Sequence, residues 1–294
     1  MCFLKFMEGL IMRKAWESIY CPNYISGYNP FNLKNMNKAI ERLVTAINNR
    51  EKIVIYGGCD VDSICGISSL LLILKYLNAD VEYCVSYKVG DSYDIDDNII
   101  KNYISFLGAQ VLITVGCGLI GKEQELLCNS LGIDLIITEN KKVKSIYDSV
   151  YINPSEKNCF YRYKDLSKSG VIFKLMQGIA IYYNMKSINK YLDLILIGSM
   201  SENVNDVGEN KVILKEGTKY LENTNSVGLR AIKSFHGIKE LKKENINKII
   251  EEITPADSVV CKKDNAKIIV ELLTTNDEDR AEQITKYLYN EKKR

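Results

Sequence analysis

Five short apolar runs, separated by stretches with helical or loop character, constrain this chain more than any other feature. Lys52–Tyr56, Val81–Val85, Val111–Val115, Asp134–Thr138 and Ser149–Ile152 each read as a strand. The runs are continuous rather than alternating, which suits strands covered on both faces of a parallel sheet. Between the first two, Ile64, Ile67, Leu70, Leu71, Leu74 and Leu77 recur at helical spacing within Asp62–Leu77. Ile99–Leu107 and Lys122–Leu131 are further helix candidates, with Gly108 and Gly132 where C-terminal caps belong. Strand and helix in alternation predict an α/β fold built on a doubly wound, mostly parallel sheet.

From about Lys168 onward the pattern turns helical, giving the fold a helical C-terminal part. Gly170–Tyr183, Tyr191–Met200, Lys211–Glu222, Val227–Phe235, Glu244–Ile253 and Asp277–Arg294 are the candidates, and Leu192–Ile197 fits helix or buried strand equally well. Only four prolines occur and no low-complexity linker interrupts the chain. The expected division is an N-terminal helical segment at 1–50, an α/β core at 51–240 and a helical extension at 241–294.

Composition narrows the chemistry. A formal net charge of +2 gives no strong overall basic field, so any nucleic-acid contact must come from a local patch. The nine cysteines include no C-x-x-C pair, and an odd number without a signal peptide fits a reducing cytoplasm. Met1–Met12 leans apolar but is too short to cross a membrane. The single histidine, His236, removes Ser-His-Asp and Cys-His triads with a histidine beside a plausible nucleophile, and multi-histidine zinc sites. Lying outside every motif, it reads as structural.

Ligands of open α/β sheets bind beyond the carboxyl ends of the strands. The residues found there are Gly57-Gly58-Cys59-Asp60-Val61-Asp62-Ser63, Gly116-Cys117-Gly118, Glu139-Asn140-Lys141 and, after Leu196, Gly198-Ser199-Met200-Ser201-Glu202. Each has an ordinary explanation. Asp60 or Asp62 can cap the following helix, worth about 1 kcal/mol, and Gly57-Gly58 can serve a tight turn. Glu139 and Glu202 can be solvated or hydrogen-bonded carboxylates. Lys141, Lys142 and Lys144 can form a solvated face or touch a backbone phosphate.

Taken in order, these segments resemble the DHH phosphoesterases, and within them the RecJ-type 5′-to-3′ single-strand exonucleases. Gly58 through Ser63 aligns with the family's D-x-D-x-D-G, Val115-Gly116-Cys117-Gly118 with V-D-C-G, and Glu139-Asn140-Lys141 with the naming Asp-His-His. Gly198 through Lys211 aligns without a gap to G-T-x-A-D-x-V-P-L-x-G-E-N-R. Leu131-Gly132-Ile133-Asp134, Ile152-Asn153-Pro154, Gly170 through Leu175 and Tyr191 through Leu194 add further ordered matches, from roughly Lys52 to Arg230.

The resemblance implies manganese or magnesium ions held by carboxylates and a histidine, activating water for phosphodiester attack. It makes Asp60, Asp62 and Glu202 a residual metal set, and Gly58, Gly116, Glu139, Asn140 and Lys141 degenerate motif positions. Lys141 is expected to place a cation near the pocket, and Lys141 with Lys142 are candidate phosphate contacts. It also makes 241–294 similar to the helix that leads to a second, strand-gripping domain, expected to be missing. The expectation is an impaired or inactive RecJ-like protein, retained to bind single-stranded nucleic acid or a replication or repair protein, with no membrane role. The alternatives are a working manganese phosphodiesterase with a reduced site, and a structural interaction protein.

Overall fold

The computed structural model describes residues 25–86, 95–117, 121–142, 147–255 and 261–293, without the side chains of 261–263. Met1–Met12, Cys2, Cys21, Gly118 and Lys144 lie outside the described residues.

A helix α1 (Met36–Asn49) leads into β1 (Ile53–Gly57), α2 (Val61–Tyr76) and β2 (Val81–Val85). A short turn, Asp97–Ile99, runs into a π-helical stretch, Ile100–Ile104, where a regular helix was expected. Then come β3 (Val111–Val115), α3 (Lys122–Ser130), β4 (Asp134–Thr138) and β5 (Val150–Ile152). Gly108 and Gly132 take φ of +74° and +71°, as the cap reading requires.

All strand pairs are parallel and the order is β2-β1-β3-β4-β5. Successive strand residues face opposite layers. Ile53, Ile55, Val111, Ile113 and Ile136 join the larger core, while Val54, Tyr56, Leu112, Leu135 and Ile137 face the smaller one. Helices on both faces make the sheet doubly wound. The chain leaves β1 toward β2 on one side and returns to β3 on the other, so the β1/β3 boundary is the topological switch point, where ligands of such sheets bind.

The C-terminal part is α4 (Lys168–Tyr182), α5 (Leu192–Ser201), α6 (Gly208–Glu222), α7 (Val227–Phe235), α8 (Lys243–Glu252), α9 (Cys261–Thr274) and α10 (Glu278–Lys293). The ambiguous Leu192–Ile197 is helical. From Leu192 to Ser199 every residue is buried, so α5 is enclosed all round and lacks the polar stripe that would have marked it as a helix. The helix α9 had not been delimited from sequence.

Two buried polar groups pin this half. Glu209 accepts hydrogen bonds from Lys174 Nζ (2.8 Å), the Tyr28 backbone N–H (2.9 Å) and the Tyr161 hydroxyl. Asp193, at the start of α5, accepts from Thr224 Oγ1 (2.5 Å) and its neighbour's N–H (2.7 Å). Burial pushes the Asp193 carboxyl up to about 6, against the opposing effect of those hydrogen bonds. A carboxyl whose folded pKa is raised binds protons more readily when folded, so its contribution to stability declines between pH 4 and pH 6. Asp193→Asn should therefore gain roughly 2–3 kcal/mol relative to wild type as the pH rises from 4 to 7. Paired urea melts across that range check it; parallel profiles would refute it.

Candidate active site cleft

The carboxyl end of β1 turns at Gly57-Gly58 into α2, whose N-cap is Asp60. Asp60 is extended, and its Oδ1 accepts the Ser63 N–H at 3.0 Å while Oδ2 accepts Ser63 Oγ at 2.8 Å. The ordinary capping role is therefore real for Asp60. Asp62, in the first turn, does something else. It is fully buried and reaches the N-terminus of α4, where Oδ2 accepts the Lys168 N–H (2.7 Å) and Oδ1 the Ser169 N–H (3.0 Å) together with Ser169 Oγ. Two N-terminal amides of one helix, which have no acceptor within that helix, are thus satisfied by a carboxylate from another. Burial and nearby Asp60 push the Asp62 carboxyl up to about 6, opposed by Ser169 and Lys168.

The α4 N-terminus carries the residue that sequence reasoning passed over. Lys168 sends its side chain back across the cleft, where Nζ lies 2.9 Å from Asp60 Oδ1 and 3.3 Å from Glu202 Oε1. The side chain is 8% exposed. Burial would lower its pKa, but Asp60, Asp62 and Glu202 outweigh it and raise the pKa, so the amine is held as ammonium. Glu202 enters as the residue closing α5. Ser167, the N-cap of α4, bonds Ser199 Oγ at 2.9 Å and completes a hydroxyl link between α4 and α5.

Gly116 follows β3 with φ +50°. A Cβ there would stand 2.3 Å from Lys168 Cδ and 2.5 Å from Cγ, so the lysine methylenes fill the space that a side chain at 116 would need. Gly198 brings α5 equally close, with a hypothetical Cβ 2.8 Å from Asp62 Oδ1.

The other expected positions lie to one side. Glu139 is buried, and its Oε1 accepts the N–H groups of Asn140 (2.8 Å) and Lys141 (3.3 Å). Asn140 donates to Leu166 O at 3.1 Å, while its Oδ1 is buried without a partner among the described residues. Lys141 and Lys142 are exposed. The cation at the carboxylates is Lys168 rather than Lys141. Lys142 instead lines a separate cleft of about 1090 Å³ along the β5 edge, with Lys34, Lys38, Lys157, Tyr147 and Tyr151. His236 pairs with Glu252 at 2.9 Å, far along the chain from these motifs. Nothing in the local pattern Ser167-Lys168-Ser169 distinguished its lysine from an ordinary one at a helix start; a cation at a positive helix end was the available clue.

Residues 52–199, half of the chain, match the N-terminal domain of the DHH family. The protein belongs to the DHH family. Among curated proteins it is 29% identical over 261 residues to the single-stranded-DNA-specific exonuclease RecJ of Bacillus subtilis, covering 87% of this chain and 32% of that protein. Among solved structures it superposes on exonuclease RecJ bound to manganese with a TM-score of 0.78, at 21% identity over 88% of this chain and 65% of that one. The complex of RecJ with Mn²⁺ from Thermus thermophilus gives 0.75, also at 21% identity, over 88% of this chain and 37% of that one. The chain spans about a third to a half of the length of these curated relatives.

The resemblance to manganese-bound relatives makes the fit of a metal a question for these residues. They do not fit one as arranged. An ammonium lies between Asp60 and Glu202, both Asp62 oxygens face helix amides, and position 116 has no side chain. Among the described residues no group of three or more histidine, cysteine, aspartate or glutamate side chains is placed to hold an ion. Among them, too, no helix is long and apolar enough to cross a membrane.

Proposed function

We propose that this chain is a RecJ-like member of the DHH family that does not hydrolyse phosphodiesters and that binds single-stranded nucleic acid through its α/β core. The observation carrying the first half is the Lys168 ammonium between Asp60 and Glu202. Hydrolysis by metal-activated water needs a divalent ion to deprotonate water and to neutralise charge on the phosphate. A lysine so placed supplies charge but offers no open coordination position for water.

The second half rests on the relatives' names and on the β5-edge cleft. Lys34 is paired with Glu156 there, while Lys38, Lys142 and Lys157 line the cleft beside half-buried Tyr147, whose ring packs on the buried Tyr151. Lysines around a partly exposed aromatic ring suit a strand whose phosphates are neutralised and one of whose bases stacks. A global charge of +2 adds little, so binding should be modest and steeply salt-dependent.

The test is incubation with end-labelled single-stranded DNA and manganese, alongside a salt-titrated gel shift. No degradation and a shift at low salt are expected. Manganese-dependent degradation that vanishes in Asp60→Ala would make the chain a working exonuclease. Absence of any shift at low salt would favour a protein partner instead. Lys38→Glu with Lys142→Glu should weaken DNA binding about tenfold at low salt and flatten its salt dependence by one to two contacts. Unchanged affinity would remove this cleft from the binding surface.

A further inference from the structure

We propose that Lys168 is a tethered cation that takes the place of a metal ion in this cleft, and that Gly116 is the space it requires. The inference rests on the non-hydrolytic reading above and gives it a physical cause. Its core is that the same carboxylates become a divalent-cation site once the ammonium is removed.

The position of Lys168 has no local justification. A cation in the first turn of a helix opposes the helix dipole. Burying an ammonium is costly unless carboxylates compensate it. Both penalties are offset by groups from elsewhere in the chain, Asp60 on α2 and Glu202 after α5. The helix start is itself held in place by Asp62. The lysine is thus built into the site by three carboxylates, and none of them belongs to its own helix.

Gly116 is the other half of the arrangement. Any side chain there would run into the lysine methylenes at 2.3–2.5 Å. A carboxylate at 116 and this conformer of Lys168 are therefore mutually exclusive. A tethered ammonium also competes with dissolved ions at high effective concentration, because it loses no translational entropy on each encounter. Divalent ions must displace it to reach Asp60 and Glu202. With Lys168 shortened, those two partly exposed carboxylates are left without their shared cation and within reach of water, the oxygen-rich, partly hydrated setting that manganese and magnesium accept.

Calorimetric titration of manganese chloride into wild type, Lys168→Ala, and Lys168→Ala with Asp60→Asn tests this directly. Lys168→Ala should bind one manganese at least tenfold more tightly than wild type, and adding Asp60→Asn should abolish the gain. Equal affinities in wild type and Lys168→Ala would overturn the proposal, as would a gain that survives Asp60→Asn.

A second measurement uses wild type alone, in case the variants do not fold. Lysine acetylation by an N-hydroxysuccinimide ester in metal-free buffer, followed peptide by peptide, should modify Lys168 at least tenfold more slowly than exposed Lys141. Labelling as fast as at Lys141 in the absence of divalent ions would show that the ammonium is not resident and overturn the proposal. These outcomes are separate from DNA binding. A chain that fails to shift DNA but protects Lys168 loses only the proposed function's second half.

Discussion

Glu209→Ala is expected to destabilise the protein by about 3–5 kcal/mol, the range for breaking a buried ion pair by removing one partner. Glu209 and Lys174 are 7% and 4% exposed, so both are almost wholly withdrawn from water. The carboxylate also accepts from the buried Tyr161 hydroxyl and from the backbone N–H of Tyr28. Removing it takes away the carboxylate that compensates a buried ammonium and the acceptor of a buried hydroxyl at once. It also frees the segment around Gly27, whose hypothetical Cβ would lie 2.5 Å from Glu209 Oε1. A fall of roughly 6–15 °C in melting temperature should follow for a chain of this size. Urea melts are the check, with the midpoint moving and the slope unchanged. Coupling Glu209→Ala to Lys174→Met should recover part of the loss, because the buried charge is then removed with its carboxylate. A loss under about 1 kcal/mol would mean that the pair is not buried in solution.

Asp62→Ala should be nearly as damaging, about 3–4 kcal/mol, although a metal-ligand reading of the same residue predicts little effect on the metal-free fold. Its carboxylate accepts two backbone amides and one hydroxyl in a site closed to water. Each buried donor left without an acceptor costs about 1–3 kcal/mol. Removing a carboxyl already pushed up to about 6 by burial returns some of that loss near neutral pH, which lowers the net figure. Asp62→Asn is the informative companion. Its amide offers one acceptor oxygen and a second group that only donates, so at least one α4 amide loses its partner. It should fall between wild type and alanine. Asp60→Asn should cost less, since its amide oxygen can keep the Ser63 capping bond and Asp62 and Glu202 still compensate the Lys168 ammonium that loses Asp60. If Asp62→Ala and Asp60→Asn melt alike, the link between α2 and α4 is weaker than its geometry implies.

Much of the architecture was readable in advance because the signals are local. Continuous apolar runs such as Lys52–Tyr56 and Val111–Val115 suit strands buried on both faces, and β1 and β3 are buried along their whole length. Gly108 and Gly132 marked turns that need positive φ. Where burial is complete the same signal becomes mute. Leu192–Ile197 has no polar face to reveal a helical period, and its packing against the other helices decides the matter. The π-helical Ile100–Ile104 differs from an ordinary helix by one shifted hydrogen bond per residue, a distinction below the resolution of side-chain patterning.

The site divides along the same line. The order of the motifs placed Asp60, Asp62 and Gly116 beyond the strand ends, with Glu202 in the last motif, and the DHH family model matches the stretch of chain that holds the first three. Which cation meets the carboxylates was decided only by tertiary structure. Lys168 stands 108 residues from Asp60 and 34 from Glu202, at a helix start whose sequence resembles any polar cap. Its direction depends on Asp62 anchoring the α4 amides, on Gly116 leaving room, and on α5 ending at Glu202. Each of these is a long-range packing relation. Linear sequence therefore determined the scaffold and where a site must lie, while three-dimensional packing decided that a lysine would occupy it.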